Sequence, residues 1–463
     1  MFTVLIWEGM DGQDRHLAAA IRAASTTRDV RIAAGNLGAL PAVLLQAAPA
    51  ARYLIVADPH SWTTAGARVA VLLAANGLAA GDPVVLTEHP RVKASAETAR
   101  DLATAIKTTA ALPIAVGSGV INDLVKYAAE LAGTPYVSVP TAASMDGYAA
   151  SGAALREGGF KRTFACAAPV AIVADLDVIA TAPAAMAGWG YGDLVGKLVA
   201  GADWILADAL GVEALNPGPF AMVQDNLAAW LGNPAGVRQG DRAALDGLMR
   251  GLIMAGLAMQ AHGNSRPASG SDHQFAHLWE MEEIAVGGVP VSHGACVGVG
   301  CLSMLAAYEW LLRQDLSRLA PAKLAAQTPS PDALRAEVAS SFPLPFMAAN
   351  ARIETEAKAA GPKVVETRLK ALQKNWPRIA PRLRQSLPAA EIVQRWLDAA
   401  GAPSSAAALG ISAAKHAQDY ARARLIRRRF TGLDVLHDLG WLGTAVGALF
   451  STDGFWRESR AVA

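Results

Sequence analysis

Between residues 29 and 183, short apolar runs alternate with stretches of helical period. DVRIA (29–33) precedes LGALPAVLLQAA, YLIVAD (53–58) precedes TTAGARVAVLLAANG, and PVVLTE (83–88) precedes SAETARDLATAIKTT. LPIAVGSG (112–119) precedes INDLVKYAAELAG, and PYVSVPT (135–141) follows. Near-continuous Val, Ile and Leu runs suit strands covered on both faces, and the amphipathic stretches between them supply the crossovers. The pattern predicts a parallel α/β sheet, with residues 1–28 as a strand–helix leader of no special chemistry.

After CAAPVAIVADLDVIATAP (166–183) strand signals vanish and nearly everything carries helical period. This change predicts a boundary near 182. An α/β domain spanning 29–182 would be followed by an all-α domain spanning 183–463, broken by turn-rich QTPSPD (327–332) and AGAPSSAAA (400–408). At 463 residues the chain has room for two cores.

Composition removes several function classes. The net charge is +1, which argues against a polyanion partner. The basic run RARLIRRRF (422–430) has no aromatic platform beside it. Five arginines on a helix there read as a solvated or ion-paired face, so no nucleic acid is expected. No stretch of about 18 uninterrupted apolar residues occurs, so no membrane span is expected. LMRGLIMAGLAMQAH (248–262) reads as a buried helix. Cys166, Cys296 and Cys301 are too few and too irregular for a disulfide framework, and the start of the chain lacks a signal-peptide pattern. Both fit a cytoplasmic protein.

Two regions carry candidate chemistry. GSGVIND (117–123) follows a strand and opens a helix, where small residues and free N–H groups suit a phosphate; glycine can also serve only the turn. Asp58 ends YLIVAD, where a carboxylate can take both hydroxyls of an adenosine ribose or simply cap the next helix. The acid precedes the glycines by some sixty residues, the reverse of the usual dinucleotide fingerprint.

The second region is NSRPASGSDHQFAHLWEMEEIAVGGVPVSHGACVG (264–298), with His273, His277 and His293. His273 and His277 stand at i and i+4, on one helix face. WGYGDLVGK (189–197) sets Asp193 between glycine-rich turns and an apolar helix, as a cap or as a ligand. One carboxylate and two imidazoles suit zinc or a similar ion with one position open. One of the three histidines can be a core residue, and Cys296 reads as a small buried side chain.

These segments, in this order, resemble the sn-glycerol-1-phosphate dehydrogenase family, related to glycerol dehydrogenase, iron-type alcohol dehydrogenases and dehydroquinate synthase. The series runs GSGVIND, SVPTAASMDGYAASGAAL, GGFKRT, VADLDVIATAP, GWGYGDLVGK, SRPASGSDHQFAHLWEME, SHGACVGVG and RLIRRRFTGLDVLHDLGWL, over roughly residues 29–445. SMDGY with SRPASGSDH belongs to the glycerol-1-phosphate branch. The resemblance implies a dehydroquinate synthase-like architecture and explains the inverted order of acid and glycines. It implies NAD or NADP held by Asp58, by Gly117, Ser118, Gly119, Val120 and Ile121 at the pyrophosphate, and by Thr141, Ala142, Ala143 and Ser144. It implies one divalent metal, zinc with nickel or iron as alternatives, on Asp193, His273 and His293. Asp146 and His277 match substrate-contacting positions, as does Asp193, which leaves His277 as the imidazole off the metal.

The chain departs from the family where SHGACVG has Ala295 and Cys296 in place of Gly-Glu-Lys partners, where Ala150 replaces a frequent Ser, and where the glycine turn carries Ser118. Lys197 stands where iron-type relatives place a further metal-binding His, so three ligands are expected. The implied reaction is metal-polarised hydride transfer between dihydroxyacetone phosphate and sn-glycerol 1-phosphate, with His277 as proton donor. Lys161, Arg162 and Arg266 are cations available for the substrate phosphate. The rivals are a dehydroquinate synthase-like cyclase, a dehydrogenase of unphosphorylated polyols and an inactive NAD-binding homologue. A small phosphorylated substrate and a homo-oligomer are the expected partners.

Overall fold

The computed structural model describes residues 12–88, 92–157 and 160–457, without the side chains of residues 12, 13, 160 and 161. Six parallel strands form the main sheet in the order β1-β8-β5-β4-β2-β3. They are β1 (Asp29–Ala33), β2 (Tyr53–Ala57), β3 (Val84–Val85), β4 (Leu112–Gly117), β5 (Val137–Pro140) and β8 (Ala171–Asp175). Every residue of β2, β4, β5 and β8 is buried, the outcome expected for apolar runs with helices on both faces. One face packs Leu40, Leu44, Val69 and Leu73 over Ile55, Ile114 and Val139. The other packs Leu102, Ile106, Ile121 and Val125 over Leu54, Val56 and Ala115.

The chain runs outward from β2 to β3, returns to β4 on the other flank of β2, then advances to β5 and β8. That reversal opens a crevice at the carboxyl ends of β2 and β4, the usual ligand position in an open parallel sheet. Asp58, Gly117–Gly119 and Thr141–Ser144 all follow strands at this edge.

The leader before β1 holds the expected helix, Gly12–Ala23, and its expected strand lies outside the described residues. Two expectations change. An antiparallel hairpin, β6 (Ala153–Glu157) with β7 (Phe160–Phe164), interrupts the β–α alternation after β5. A second hairpin, β9 (Ala285–Val286) with β10 (Val289–Pro290), turns through Gly287 and Gly288, both at positive φ, within the region expected to be wholly helical.

The chain divides into two compact units away from residue 182. One comprises the chain up to Leu194 with Gly218–Ser265; the other comprises Val195–Pro217 and the chain from Arg266 on. The reason is local packing. In the 26-residue helix Ala184–Ala209, a Cβ on Gly190 would lie 2.0 Å from the Ala143 carbonyl oxygen. In the helix Arg242–His262, a Cβ on Gly256 would lie 2.7 Å from the Ala149 main chain. Gln260 of that helix accepts from the Thr26 and Thr27 main chain and donates to the Ala149 carbonyl at 2.6 Å. Helical period identifies these elements as helices, but it carries no record of which core they join.

The second unit is built around the helices Ser271–Met281 and His293–Leu312. The latter is apolar and long enough to cross a membrane, yet 83% of its most apolar stretch is buried in the protein, as in a core helix. The arginine run is also not one helix. Its helix, Ala413–Leu425, ends before Arg427, Arg428 and Arg429.

Candidate metal and cofactor site

Asp193 occupies the interior of the Ala184–Ala209 helix rather than a turn beside it, and its side chain is fully buried. The glycines around it are helical and serve close approach. Gly190 admits Ala143, while a Cβ on Gly196 would meet Val297 at 2.5 Å and the Asp272 carboxylate at 2.6 Å. Each glycine costs a helix about 1 kcal/mol relative to alanine. Here alanine would not fit.

The loop after β5 reaches this helix directly. The Asp146 main-chain N–H donates to Asp193 Oδ2 at 2.8 Å. Next to it, Met145 covers Gly119 at the start of the helix Gly119–Ala132, where a Cβ would lie 2.8 Å from the thioether. Lys126, on the same helix and buried, donates to the carbonyls of Gly147 at 2.8 Å and Gly152 at 3.1 Å. Its charge is balanced by Asp123 at 3.4 Å. One loop thus ties the glycine turn to the carboxylate of Asp193.

His273 and His277 lie on the Ser271–Met281 helix, and His293 opens the next long helix. Ligand atoms of Asp193, His273 and His293 all lie within 4.8 Å of one another. His277 stands outside that trio, with its ring centroid 6.0 Å from that of His273 and 5.7 Å from that of His293. Each imidazole of the trio has its Nδ1 engaged by a carboxylate, His273 by Asp272 and His293 by Glu280 Oε1 at 3.1 Å. Such partners fix ring and tautomer and leave Nε2 for a metal. One carboxylate and two oriented imidazoles therefore fit a divalent transition metal.

The other oxygen of Glu280 lies near the third ring, with Oε2 3.4 Å from His277 Nδ1 but not hydrogen-bonded to it. Burial, and then the charge of Arg427, hold His277 well below the usual histidine range, so the ring is neutral at pH 7.

At the sheet edge, Asp58 caps the turn Pro59–Ser61. Its Oδ1 accepts from the main chains of His60 and Ser61, both at 2.9 Å. The capping reading is realised, and Oδ2 takes neither bond. Gly117 is required by packing, since a Cβ there would lie 2.6 Å from Ile121 Cβ. Ile121 is fully buried and offers a ligand only its main chain. Ser118 is the N-cap of the following helix without a side-chain bond to it, and Val120 lies in that helix's first turn. Thr141, Ala142 and Ala143 are buried, with Ser144 half-buried. The Ala142 carbonyl accepts from Tyr148 at 2.7 Å.

The cations proposed for phosphate fare differently. Arg266 is fully buried and donates to the carbonyls of Phe430 at 3.1 Å and Asp203 at 2.9 Å, with Glu213 at 3.4 Å. That setting makes it part of the framework rather than a substrate contact. Arg162 is exposed and pairs with Glu157 at 3.0 Å. Lys161 is in β7, and its side chain lies outside the described residues. Ala295 and Cys296, the departures after His293, are buried in the helix.

Sequence reasoning missed Asp272 and Glu280, although each stands beside or one turn from a flagged histidine. It also missed Lys126, which no local pattern marks.

A family model described as iron-containing alcohol dehydrogenase matches residues 31–183. The glycerol-1-phosphate dehydrogenase [NAD(P)+] of Bacillus velezensis is 35% identical over 271 residues, 58% of this chain and 68% of that protein. The enzyme of the same name from Methanothrix thermoacetophila is 34% identical over 300 residues, 64% of this chain and 82% of its own length. Among solved structures, glycerol dehydrogenase from Schizosaccharomyces pombe superposes with a TM-score of 0.58 at 15% identity, covering 95% of this chain and 92% of that one. This last likeness is one of fold.

Proposed function

Because this chain belongs to the glycerol-1-phosphate dehydrogenase family, we propose that it interconverts dihydroxyacetone phosphate and sn-glycerol 1-phosphate with NAD(P) and one divalent metal. The observation that carries the reading is the convergence of Asp193, His273 and His293, with Asp193 bonded to the loop that follows β5.

In this reading the helix start at Ser118 and Gly119 receives the cofactor pyrophosphate, with Asp58 at the adenosine ribose and Thr141–Ser144 along the dinucleotide. Oδ2 of Asp58 is the oxygen left for that ribose, which favours NAD over a 2′-phosphorylated cofactor. The metal is zinc by ligand type, with nickel or iron as alternatives. When bound, the ion supplies Lewis acidity at the substrate oxygen and the nicotinamide supplies the hydride.

The chain's own residues do the rest. Asp272 and Glu280 hold the two ligand imidazoles in one tautomer. The Asp146 main-chain N–H holds the Asp193 carboxylate, which would be the oxygen ligand of the ion. His277, neutral and beside Glu280, relays the proton to or from the alcohol oxygen, and the Asp146 side chain orients the substrate. Three buried cysteines outside any disulfide suit a cytoplasmic enzyme, and we expect a homo-oligomer.

The test is NADH consumption with dihydroxyacetone phosphate, before and after metal removal, with the product's stereochemistry determined. Steady turnover that is lost on chelation, restored by zinc and yields sn-glycerol 1-phosphate supports the proposal. The opposite enantiomer, or no net NADH oxidation with this ketone, refutes it.

A further inference from the structure

We propose that Asp203 is a positioning residue for the metal centre. Its buried carboxylate ties the helices that carry His273 and His293 to the helix that carries Asp193, so that the ligands stand ready for an ion. The role rests on the metal-dependent reading proposed above.

Asp203 lies in the Ala184–Ala209 helix, ten residues after Asp193, and is fully buried. A carboxylate out of water is costly unless donors meet its lone pairs. Here four donors meet two oxygens. Oδ2 accepts from the Ser271 main-chain N–H at 2.6 Å and from the Ser271 hydroxyl at 2.8 Å. Oδ1 accepts from the Gly432 N–H at 2.7 Å and from the Tyr308 hydroxyl.

Two of these partners lead straight to the ligand histidines. Ser271 is the first residue of the helix Ser271–Met281, two positions before His273. The N-cap of that helix is Gly270, which has no side chain to close the free N–H groups of the first turn. Asp203 supplies the cap from another helix, with the sign of charge that a helix N-terminus favours. Gly270 is itself required by this approach, since a Cβ there would lie 2.5 Å from Asp203 Oδ2 and 2.8 Å from Ala200 Cα. Tyr308 belongs to the helix His293–Leu312, whose first residue is His293. The node is braced further. A Cβ on Gly432 would lie 2.8 Å from the Tyr308 hydroxyl, and Arg266 donates to the Asp203 carbonyl at 2.9 Å.

Ligands that come from distant parts of a chain bind an ion tightly only where their separation is set beforehand. Asp272 and Glu280 engage the two rings, whereas Asp203 fixes where the helices beneath those rings stand. Asparagine isolates that role, because its amide has one acceptor oxygen and one N–H₂ donor group. Whichever way it turns, the N–H₂ faces a main-chain N–H, of Ser271 or of Gly432. One of the two anchors must open.

The experiment compares wild type with Asp203→Asn, Tyr308→Phe and Leu372→Ala. Leu372 is fully buried in the helix Pro362–Ser386 of the same compact unit, which carries none of the ligands, so its truncation reports lost packing alone. Three quantities are read well below the melting temperature. They are the zinc affinity of metal-free protein against a chelator, the visible spectrum of cobalt(II)-loaded protein, and deuterium exchange over residues 270–276 in metal-free protein. Asp203→Asn should weaken zinc by about tenfold or more, shift the cobalt bands and speed the exchange. Tyr308→Phe removes one donor but leaves both main-chain anchors, so its zinc affinity should fall by less than about threefold. Leu372→Ala should melt earlier with zinc affinity and cobalt bands unchanged. Zinc affinity within about twofold of wild type and unshifted bands in folded Asp203→Asn overturn the assignment. An equal loss of zinc affinity in Leu372→Ala overturns it too, since the effect would then be one of stability. If wild type takes up neither zinc nor cobalt, the metal-dependent reading fails. In that case, exchange that quickens in Asp203→Asn alone still supports Asp203 as the anchor of the His273 helix, and unchanged exchange overturns it.

Discussion

Replacing Asp272 by Asn should weaken metal binding without disturbing cofactor binding. Asp272 is fully buried, and each of its carboxylate oxygens accepts a hydrogen bond. Oδ1 accepts the Gly270 N–H at 3.0 Å and Oδ2 accepts from His273 Nδ1. Little lateral movement is open to it, because a Cβ on Gly196 would come within 2.6 Å of Oδ2 and one on Gly300 within 2.4 Å of the Asp272 carbonyl. An asparagine fits the same space but has one acceptor oxygen for two donors. If that oxygen stays on Gly270, the amide N–H₂ faces Nδ1 and forces the proton onto Nε2, the tautomer that cannot bind a metal. Partners of this kind typically contribute ten- to a hundredfold in metal affinity, or about 1.4–2.8 kcal/mol. The assay is zinc titration of metal-free protein against a chromophoric chelator, with NADH binding followed by fluorescence. Zinc affinity within twofold of wild type, in a protein with an unaltered melting transition, would refute the account of how His273 is oriented.

Two further outcomes follow from the packing and the ionisation. Gly190→Ala sets a methyl about where the Ala143 carbonyl oxygen already is. Overpacking of this kind costs about 1–3 kcal/mol, only partly offset by alanine's helix preference of about 1 kcal/mol. Both the melting temperature should fall and the KM for NADH rise, since Ala143 lines the proposed cofactor site; no change in either counts against the packing argument. His416 is buried against Ser303 at 2.8 Å, and burial pushes its pKa down to about 3. The unfolded chain therefore takes up this proton first as pH falls through about 6.5, and stability drops by about 1.4 kcal/mol per unit until the folded value is reached. Between pH 6.5 and 5, urea unfolding of wild type should lose about 2 kcal/mol that His416→Gln does not lose, and equal slopes in the two proteins would contradict the depressed pKa.

Much of this was legible in the sequence because each signal was local. The strands DVRIA, YLIVA and LPIAVG are buried apolar runs, and His273 and His277 share a helix face by spacing alone. What was not legible depends on contacts between distant segments. Asp193 reads as a turn residue because GWGYGD is rich in glycine, whereas those glycines are helical and make room for Ala143 and Asp272. Arg266 reads as a free cation beside a motif, yet it bonds carbonyls 63 and 164 positions away in the chain. The β6–β7 hairpin escaped for another reason: ALRE and FKRTF alternate weakly and carry charges that the exposed hairpin face tolerates.

The central claim is that Asp193, His273 and His293 hold one divalent ion and that His277 does not. Metal content after exhaustive dialysis tests it most directly, in wild type and in single alanine variants of these four residues. The account predicts about one ion per chain in wild type and in His277→Ala, and a near-complete loss in each of the other three. Full metal content in the Asp193, His273 or His293 variant, or its loss in His277→Ala, would contradict it.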